Sequence, residues 1–138
     1  MDEKRHKAMI HEEICTYEVA KLAKEKGFGE MATCYQGYRK DGTLFYFSNM
    51  PDGKERVMQT DCLAPTQSLL HRWLREEKGV FIEIRSDVNE KLERITSRYN
   101  IVYDYDGRSS SVHICCDEYS TYELALEDAL KYALENLV

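Results

Sequence analysis

The chain has 138 residues, enough for one domain, and a chain of this length buries roughly two thirds of its unfolded surface on folding. Its 19 Lys and Arg stand against 25 Asp and Glu, which gives a formal net charge of −6. This balance counts against a dedicated nucleic-acid binder, because such affinity normally rests on a basic surface. No apolar run approaches the roughly 18 residues that cross a bilayer.

The start of the chain, MDEKRHKAMIHEEI, is charged and lacks the apolar core of a signal peptide. We therefore expect a cytoplasmic protein without membrane contact, with a charged, frayed lead-in over residues 1–13 and a single domain over residues 14–138. The five cysteines are irregularly spaced and contain no CxxC pair. In a reducing compartment such cysteines are most simply small buried side chains.

Two stretches near the ends of the chain show helical periodicity. The first begins after Thr16, a good N-cap, and ends at Gly27, which can adopt the left-handed conformation that terminates helices. The second covers residues 120–138, where Ser120 and Glu123 are expected to form a capping box. Its predicted buried stripe consists of Tyr122, Leu126, Ala129, Leu130, Ala133, Leu134 and Leu137.

A third helix is predicted in PTQSLLHRWLREEKGV, residues 65–80, starting at or near Pro65 and ending at Gly79. Its apolar side consists of Leu69, Leu70, Trp73 and Leu74. Arg72 and Arg75 lie off that side and could contact a phosphate or an acidic partner. Two adjacent glutamates would partly neutralise such a patch, so we interpret the helix as a core element with a solvated charged side.

Two groups of three strands are predicted between the helices. In the first, ATCYQGYR and TLFYFS flank a turn at Lys40-Asp41-Gly42, and ERVMQT follows as the third strand of a meander. In the second, VFIEIR is followed by YNIVYDY and SSSVHICC, which flank a turn at Asp106-Gly107. Residues 86–97 have no clear pattern and fit either a helical turn or an irregular strand.

The resulting order, α-βββ-α-βββ-α, predicts an α+β domain in which antiparallel strands form one or two sheets with the helices packed on one side. LAKEKGF at 22–28 echoes LREEKGV at 74–80, and TYEVA at 16–20 echoes TYELA at 121–125. Either a duplicated αβββ unit or the shared demands of helix capping would explain the echo.

Three tyrosines are the predicted binding residues of the second strand group. Tyr99, Tyr103 and Tyr105 alternate along one strand face, together with Ile101. Exposed rings on a sheet can stack bases of single-stranded nucleic acid, but that surface needs nearby cations, and the neighbours here lean acidic. We therefore favour rings that cover the core and its edge and contribute to a protein–protein patch.

The segment SVHICC holds the strongest candidates for chemistry. His113 and Cys115 share one strand face with Ser111, whereas Val112, Ile114 and Cys116 share the other, which we expect to face the core. His113 and Cys115 could be two zinc ligands or a Cys–His nucleophile pair. Zinc sites usually show two close ligand pairs, and only one is visible here. We therefore predict no catalytic residue, metal or other cofactor.

Three helical segments carry a resemblance to a known group of proteins. They are YEVAKLAKEKGF (17–28), APTQSLLHRWLREEKGV (64–80) and TYELALEDALKYAL (121–134). In this order they resemble an uncharacterised group of small proteins of Bacteroides-type gut bacteria, which often accompany phage or mobile-element genes. The resemblance covers about a third of the chain, and it implies a genetic context without any catalytic residue.

Three functional hypotheses remain from the sequence. The first is a small, non-enzymatic cytoplasmic module that binds a protein partner or itself in a phage or mobile-element context. The alternative is a nucleic-acid-associated regulator that uses Arg72, Arg75 and the tyrosine rings. The third is a thiol- or zinc-dependent enzyme centred on His113 and Cys115.

Overall fold

The structure is a computed structural model that describes residues 11–29, 34–46, 60–88, 91, 93–105 and 109–138. These residues form three helices and six strands in the order α-βββ-α-βββ-α. The helices are α1 (Tyr17–Glu25), α2 (Gln67–Lys78) and α3 (Tyr122–Asn136). The strands are β1 (Gln36–Tyr38), β2 (Leu44–Tyr46), β3 (Cys62–Leu63), β4 (Val80–Val88), β5 (Ile95–Tyr105) and β6 (Ser109–Ile114). The chain is an α+β domain with two antiparallel sheets, and none of the described helices is long and apolar enough to cross a membrane.

The described strands of the first sheet have the order β2-β1-β3, and the predicted hairpin of β1 and β2 is confirmed. Residues 55–59 of the expected third strand lie outside the described residues, and β3 starts later, at Cys62. β3 pairs with β1 rather than β2. Cys62 and Ala64 belong to a small core cluster with Tyr38 of β1 and Ala20 of α1. β3 packs into this cluster because it lies directly beside β1.

The second sheet has the order β4-β5-β6. β4 and β5 pair without interruption from Val80 opposite Tyr103 to Val88 opposite Ile95. The patternless stretch 86–97 therefore continues both strands. Residues 89, 90 and 92, between the two strands, lie outside the described residues. The apolar alternation fades because β4 carries exposed polar side chains from Arg85 to Asp87.

The register between β5 and β6 reverses one prediction. Tyr105 lies opposite Ser109, so residues 106–108 intervene, whereas a two-residue turn at Asp106-Gly107 would pair Tyr105 with Arg108. A shift of one residue moves every side chain of a strand to the other face of the sheet. The prediction that Val112, Ile114 and Cys116 face the core is consequently wrong, and all three are exposed.

Each described helix begins with a threonine N-cap whose hydroxyl accepts a hydrogen bond from the N–H three residues later. The three caps are Thr16, Thr66 and Thr121. Thr16 confirms the prediction for α1. For α3 the capping box with Ser120 is wrong, because Thr121 is the cap. Pro65 lies before the cap of α2, and its carbonyl accepts a hydrogen bond from the Cys15 N–H at 2.9 Å.

Glycines terminate α1 and α2 as predicted, but in two different ways. Gly27 follows the C-cap of α1 with φ of 99°, whereas Gly79 is itself the C-cap of α2 with φ of 64°. The strands that follow the two helices also differ in position. β1, after α1, is the central strand of its sheet, whereas β4, after α2, lies at the edge of its sheet. The repeated sequence therefore reflects similar helix ends, and it does not mark a repeated αβββ topology.

The main core lies between the second sheet and the helices. Leu126, Leu130 and Leu134 of α3 are buried together with Ile101 of β5. Tyr122, expected in the buried stripe, is 48% exposed, because the buried side of α3 begins only at Ala125.

Trp73 confirms α2 as a core element. Its buried ring meets Phe28 edge to face, with 5.4 Å between ring centroids. Such aromatic pairs contribute about 0.5–1.5 kcal/mol beyond the area that they bury. On the solvent side of the helix, Arg72 forms an exposed ion pair with Glu76 at 3.0 Å.

One carboxylate joins the beginnings of all three described helices. Glu127 Oε2, on α3, accepts hydrogen bonds from the Thr16 N–H at 3.0 Å and the Thr16 hydroxyl at 2.9 Å. Glu127 Oε1 accepts from Nε2 of Gln67 at 2.9 Å. The Gln67 amide is buried in the first turn of α2 and also donates to the Glu123 carbonyl at 2.9 Å.

Replacing this carboxylate should destabilise the whole domain. We expect Glu127→Ala to lower the free energy of unfolding by about 2–3 kcal/mol, because hydrogen bonds to a charged group contribute about 1.5–3 kcal/mol each and Thr16 is partly solvated. Urea denaturation followed by circular dichroism measures the change. Glu135→Ala, on the same helix, is the control and should cost less than about 1 kcal/mol, because its contact with Lys131 is exposed. Equal losses in the two variants would contradict the role of Glu127.

A histidine of α2 closes part of one sheet edge. His71 Nε2 accepts a hydrogen bond from the Ile82 N–H of edge strand β4 at 3.3 Å. The acceptor must be an unprotonated ring nitrogen. Burial lowers the pKa of His71 below 6.5, and the nearby positive charge of Arg75 lowers it further.

This contact predicts a pH-dependent stability. Because the folded chain disfavours protonated His71, the unfolded chain binds more protons below about pH 6.5, and stability falls there as the pH falls. In His71→Gln an amide oxygen replaces the acceptor without titrating. Urea denaturation at several pH values measures the difference in the free energy of unfolding between the two proteins. This difference should be constant above pH 7, and below about pH 6.5 the natural chain should lose stability relative to His71→Gln. Parallel curves down to acid pH would show that His71 does not titrate in this range.

Candidate functional site

The side of the second sheet that faces away from the helices is the strongest candidate for a functional surface. Helices α2 and α3 pack against the opposite side of this sheet. We call the outward surface the open face. It consists of Phe81, Glu83 and Arg85 from β4, Arg98, Asn100, Val102 and Asp104 from β5, and Val112 and Ile114 from β6.

Apolar side chains form a continuous row across the open face. Phe81, Val102 and Val112 occupy directly opposed positions on the three strands and are 50%, 36% and 58% exposed. Ile114, in the next row, is 67% exposed. Single exposed apolar residues are ordinary, but contiguous ones mark sites of interaction with other molecules.

Charges of opposite sign lie on the two sides of the apolar row, along the strand direction. Asp104 lies on one side, and Arg85 and Arg98 lie directly opposite each other on the other side. Opposed like charges on neighbouring strands are destabilising. Arg98 is partly neutralised by Glu118 at 2.6 Å, and Glu83 lies between the apolar row and Arg85.

An open depression of about 220 Å³ lies beside the arginine pair. Its lining residues are Arg85, Asp87, Arg98, Asn100, Ile114, Cys115 and Cys116. Both signs of charge and the exposed Cys116 therefore border this end of the open face. The depression is small compared with the roughly 300–1,000 Å³ of typical ligand pockets.

His113 and Cys115 lie on the inner side of β6, under α3. The His113 ring stacks on Tyr132 of α3, with 3.8 Å between centroids and an interplanar angle of 11°. The Cys115 thiol lies 3.9 Å from the Tyr119 hydroxyl, and the structure shows no hydrogen bond between Cys115 and His113. Among the described residues, no three His, Cys, Asp or Glu side chains are grouped as metal ligands would be.

The Cys115 thiol lies beside the hydroxyl groups of Tyr99 and Tyr119. Burial raises the pKa of Tyr99 and of Tyr119, and hydrogen bonding to Asp128 raises the pKa of Tyr119 further. The Tyr119 hydroxyl donates to the Asp128 carboxylate and thereby occupies it. This arrangement holds α3 against the sheet and supplies no base that would activate the thiol.

Two of the predicted binding tyrosines, Tyr99 and Tyr103, face the core on the side of the helices. Tyr99 is 3% exposed and lies near the rings of His113 and Tyr119, so its predicted part in a partner surface is wrong. Tyr103 is half-buried against the same core. Tyr105 belongs to β5, and its side chain lies outside the described residues. Base stacking on this row of rings is excluded for Tyr99, because the core covers it.

The structure does not bring the predicted arginines and tyrosines together. Arg72 points to solvent and is paired with Glu76, and Arg75 is half-buried beside His71. Both lie on α2, whereas Tyr99 and Tyr103 lie on the inner side of the sheet, and neither arginine belongs to the open face.

The open face was missed in the sequence because the Val112 side of β6 was expected to face the core and the Tyr99 side of β5 to contribute to a partner surface. Phe81 alternates with the core residues Val80 and Ile82, which is the signal that could have placed it outside. No protein-family model, curated protein or solved structure matches the chain.

The burial of the thiols predicts their order of reaction. Cys116 is exposed and should react first with a thiol reagent under native conditions. Burial raises the pKa of Cys62 to about 11, so only about one thousandth of this thiol is ionised at pH 8, and it should react only on unfolding. Burial also raises the pKa of Cys15.

Time courses of thiol labelling, read by mass spectrometry, check this order. Cys116→Ser should remove the fast phase. A fast phase that persists in this variant and maps to Cys115 would show that this thiol is reactive in the folded protein. That result would support the hypothesis of a thiol enzyme.

Proposed function

We propose that this protein is a small, non-enzymatic binding module that engages a protein partner through the open face. The single observation that supports this function most is the continuous row of Phe81, Val102 and Val112, exposed across three strands of a sheet whose other side packs against helices α2 and α3. Burying apolar surface contributes about 25 cal/mol per Å². A partner that covers the row therefore gains free energy that the isolated chain leaves in water.

The flanking charges support a protein as the partner. Interfaces between proteins combine an apolar centre with a polar rim, and the open face has this arrangement, with Asp104 at one end and the two arginines at the other. A nucleic acid would require an excess of cations, whereas Glu83 and Asp104 give this face both signs of charge. We place this activity in the cytoplasm and, from the resemblance of the helical segments, in a phage or mobile-element context.

A site-specific photocrosslink tests the proposal. Benzoylphenylalanine placed at Val112 should form an adduct with the partner on irradiation in a lysate of the host cells. The matched control is the same group at Leu124 of α3, which is 54% exposed against 58% for Val112 but lies off the open face. The adduct from position 112 should disappear when Phe81→Ser is introduced into the same chain.

Circular dichroism should show an unchanged fold for Phe81→Ser, because this side chain is half exposed. Absence of any adduct from position 112, or equal adducts from both positions, would contradict a binding role of the open face.

A further inference from the structure

We infer that the partner of the open face is a second copy of this chain, packed face to face about a two-fold axis. This inference rests on the proposed function and names the occupant of the same surface. The observation behind it is the separation of charge along β5, with Asp104 and Arg98 at opposite ends of one strand face and Val102 and Asn100 between them.

A two-fold axis that lies between the sheets and runs perpendicular to the strands brings opposite charges of the two copies together. Such an axis reverses the strand direction and leaves each strand facing its own counterpart. With the axis level with Ile101, Asp104 of each copy faces Arg98 of the other. Along β6, Val112 of each copy then faces Ile114 of the other, so these two exposed apolar side chains bury one another, while Phe81 faces Glu83 and Val102 faces Asn100.

The position of Asp104 favours this arrangement further. Its carboxylate leans toward β4, because a Cβ atom placed on Gly79 would lie 3.5 Å from Asp104 Oδ2. Under the same axis, Arg85 of the second copy faces Gly79. Asp104 would therefore lie between the two arginines of the other copy, and the repulsion between the directly opposed Arg85 and Arg98 would be relieved.

The uncharged β6 strand also suits a second copy. Ser109–Ile114 contains no Asp, Glu, Lys or Arg, so two copies that bring these strands together meet no like charges there. Three strands about 4.8 Å apart and about 20 Å long give a footprint of roughly 300 Å². Since stable interfaces bury roughly 800 Å² per partner, we expect a weak, reversible dimer with a dissociation constant on the order of tens of micromolar.

Charge reversal tests the arrangement by sedimentation velocity over a range of concentrations. Asp104→Arg alone and Arg98→Asp alone should each weaken self-association by at least about tenfold, because each creates two repulsive contacts per dimer. An equimolar mixture of the two single variants should restore the dimer, because both contacts between the unlike copies are then attractive. Glu77→Arg, an exposed reversal on α2, is the control and should leave self-association unchanged.

Each result decides between the arrangements. A natural chain that stays monomeric at all concentrations overturns the inference, as does a dimer that tolerates both reversals. Two monomeric variants that fail to associate on mixing, while circular dichroism shows them folded, exclude this axis. If a reversal disturbs folding, the natural chain still gives a readout, because about 1 M salt shortens the screening length to about 3 Å and should weaken the dimer. Salt-independent association would overturn the inference.

The photocrosslink at position 112 separates this inference from the proposed function. An adduct of two identical chains supports both. An adduct with a different protein, formed by a chain that remains monomeric, supports the proposed function and overturns the second copy as its partner. No adduct overturns both.

Discussion

The carboxylate of Glu127 is the contact on which the arrangement of the helices depends. It accepts hydrogen bonds from Thr16 before α1 and from the buried amide of Gln67 in α2, and it is itself part of α3. These contacts hold the starts of α1 and α2 against α3, and α2 and α3 pack together on one side of the second sheet. None of the described helices packs on the other side of that sheet, which is the open face.

Local chemistry predicted the fold class, the element order and most helix boundaries. Thr16 and Gly79 carry strong local signals, because a capping oxygen and a left-handed backbone are properties of one residue and its neighbours. The position of β3 was missed because pairing beside β1 depends on a distant cluster that includes Ala20. The hydrogen bonds between Glu127 and Thr16 were missed for the same reason, because the two residues are 111 positions apart in the sequence.

The open face could not be predicted from periodicity alone. In β6, apolar and polar residues alternate, and the assumption that Val112 and Ile114 face the core follows from hydrophobicity. The register of β6 against β5 decides the faces instead, because it places His113 opposite the buried Ile101. A strand that turns its valine and isoleucine outward contradicts the usual rule, and such departures concentrate at surfaces that serve function. Tyr99 of β5 followed the rule and belongs to the core, and Tyr103 packs against it.

The hydrogen bond from Ile82 to His71 limits how far the second sheet can grow. At the other edge, the Cys115 N–H bonds to Tyr99, so the N–H groups of Val112 and Ile114 point away from β5. Fibril formation by strand addition requires each molecule to offer an acceptor edge on both sides. At Ile82 the β4 edge is occupied by an imidazole, so a strand added there would have to displace His71. The histidine thus makes strand addition less favourable at this position of β4 than along the uncharged edge strand β6.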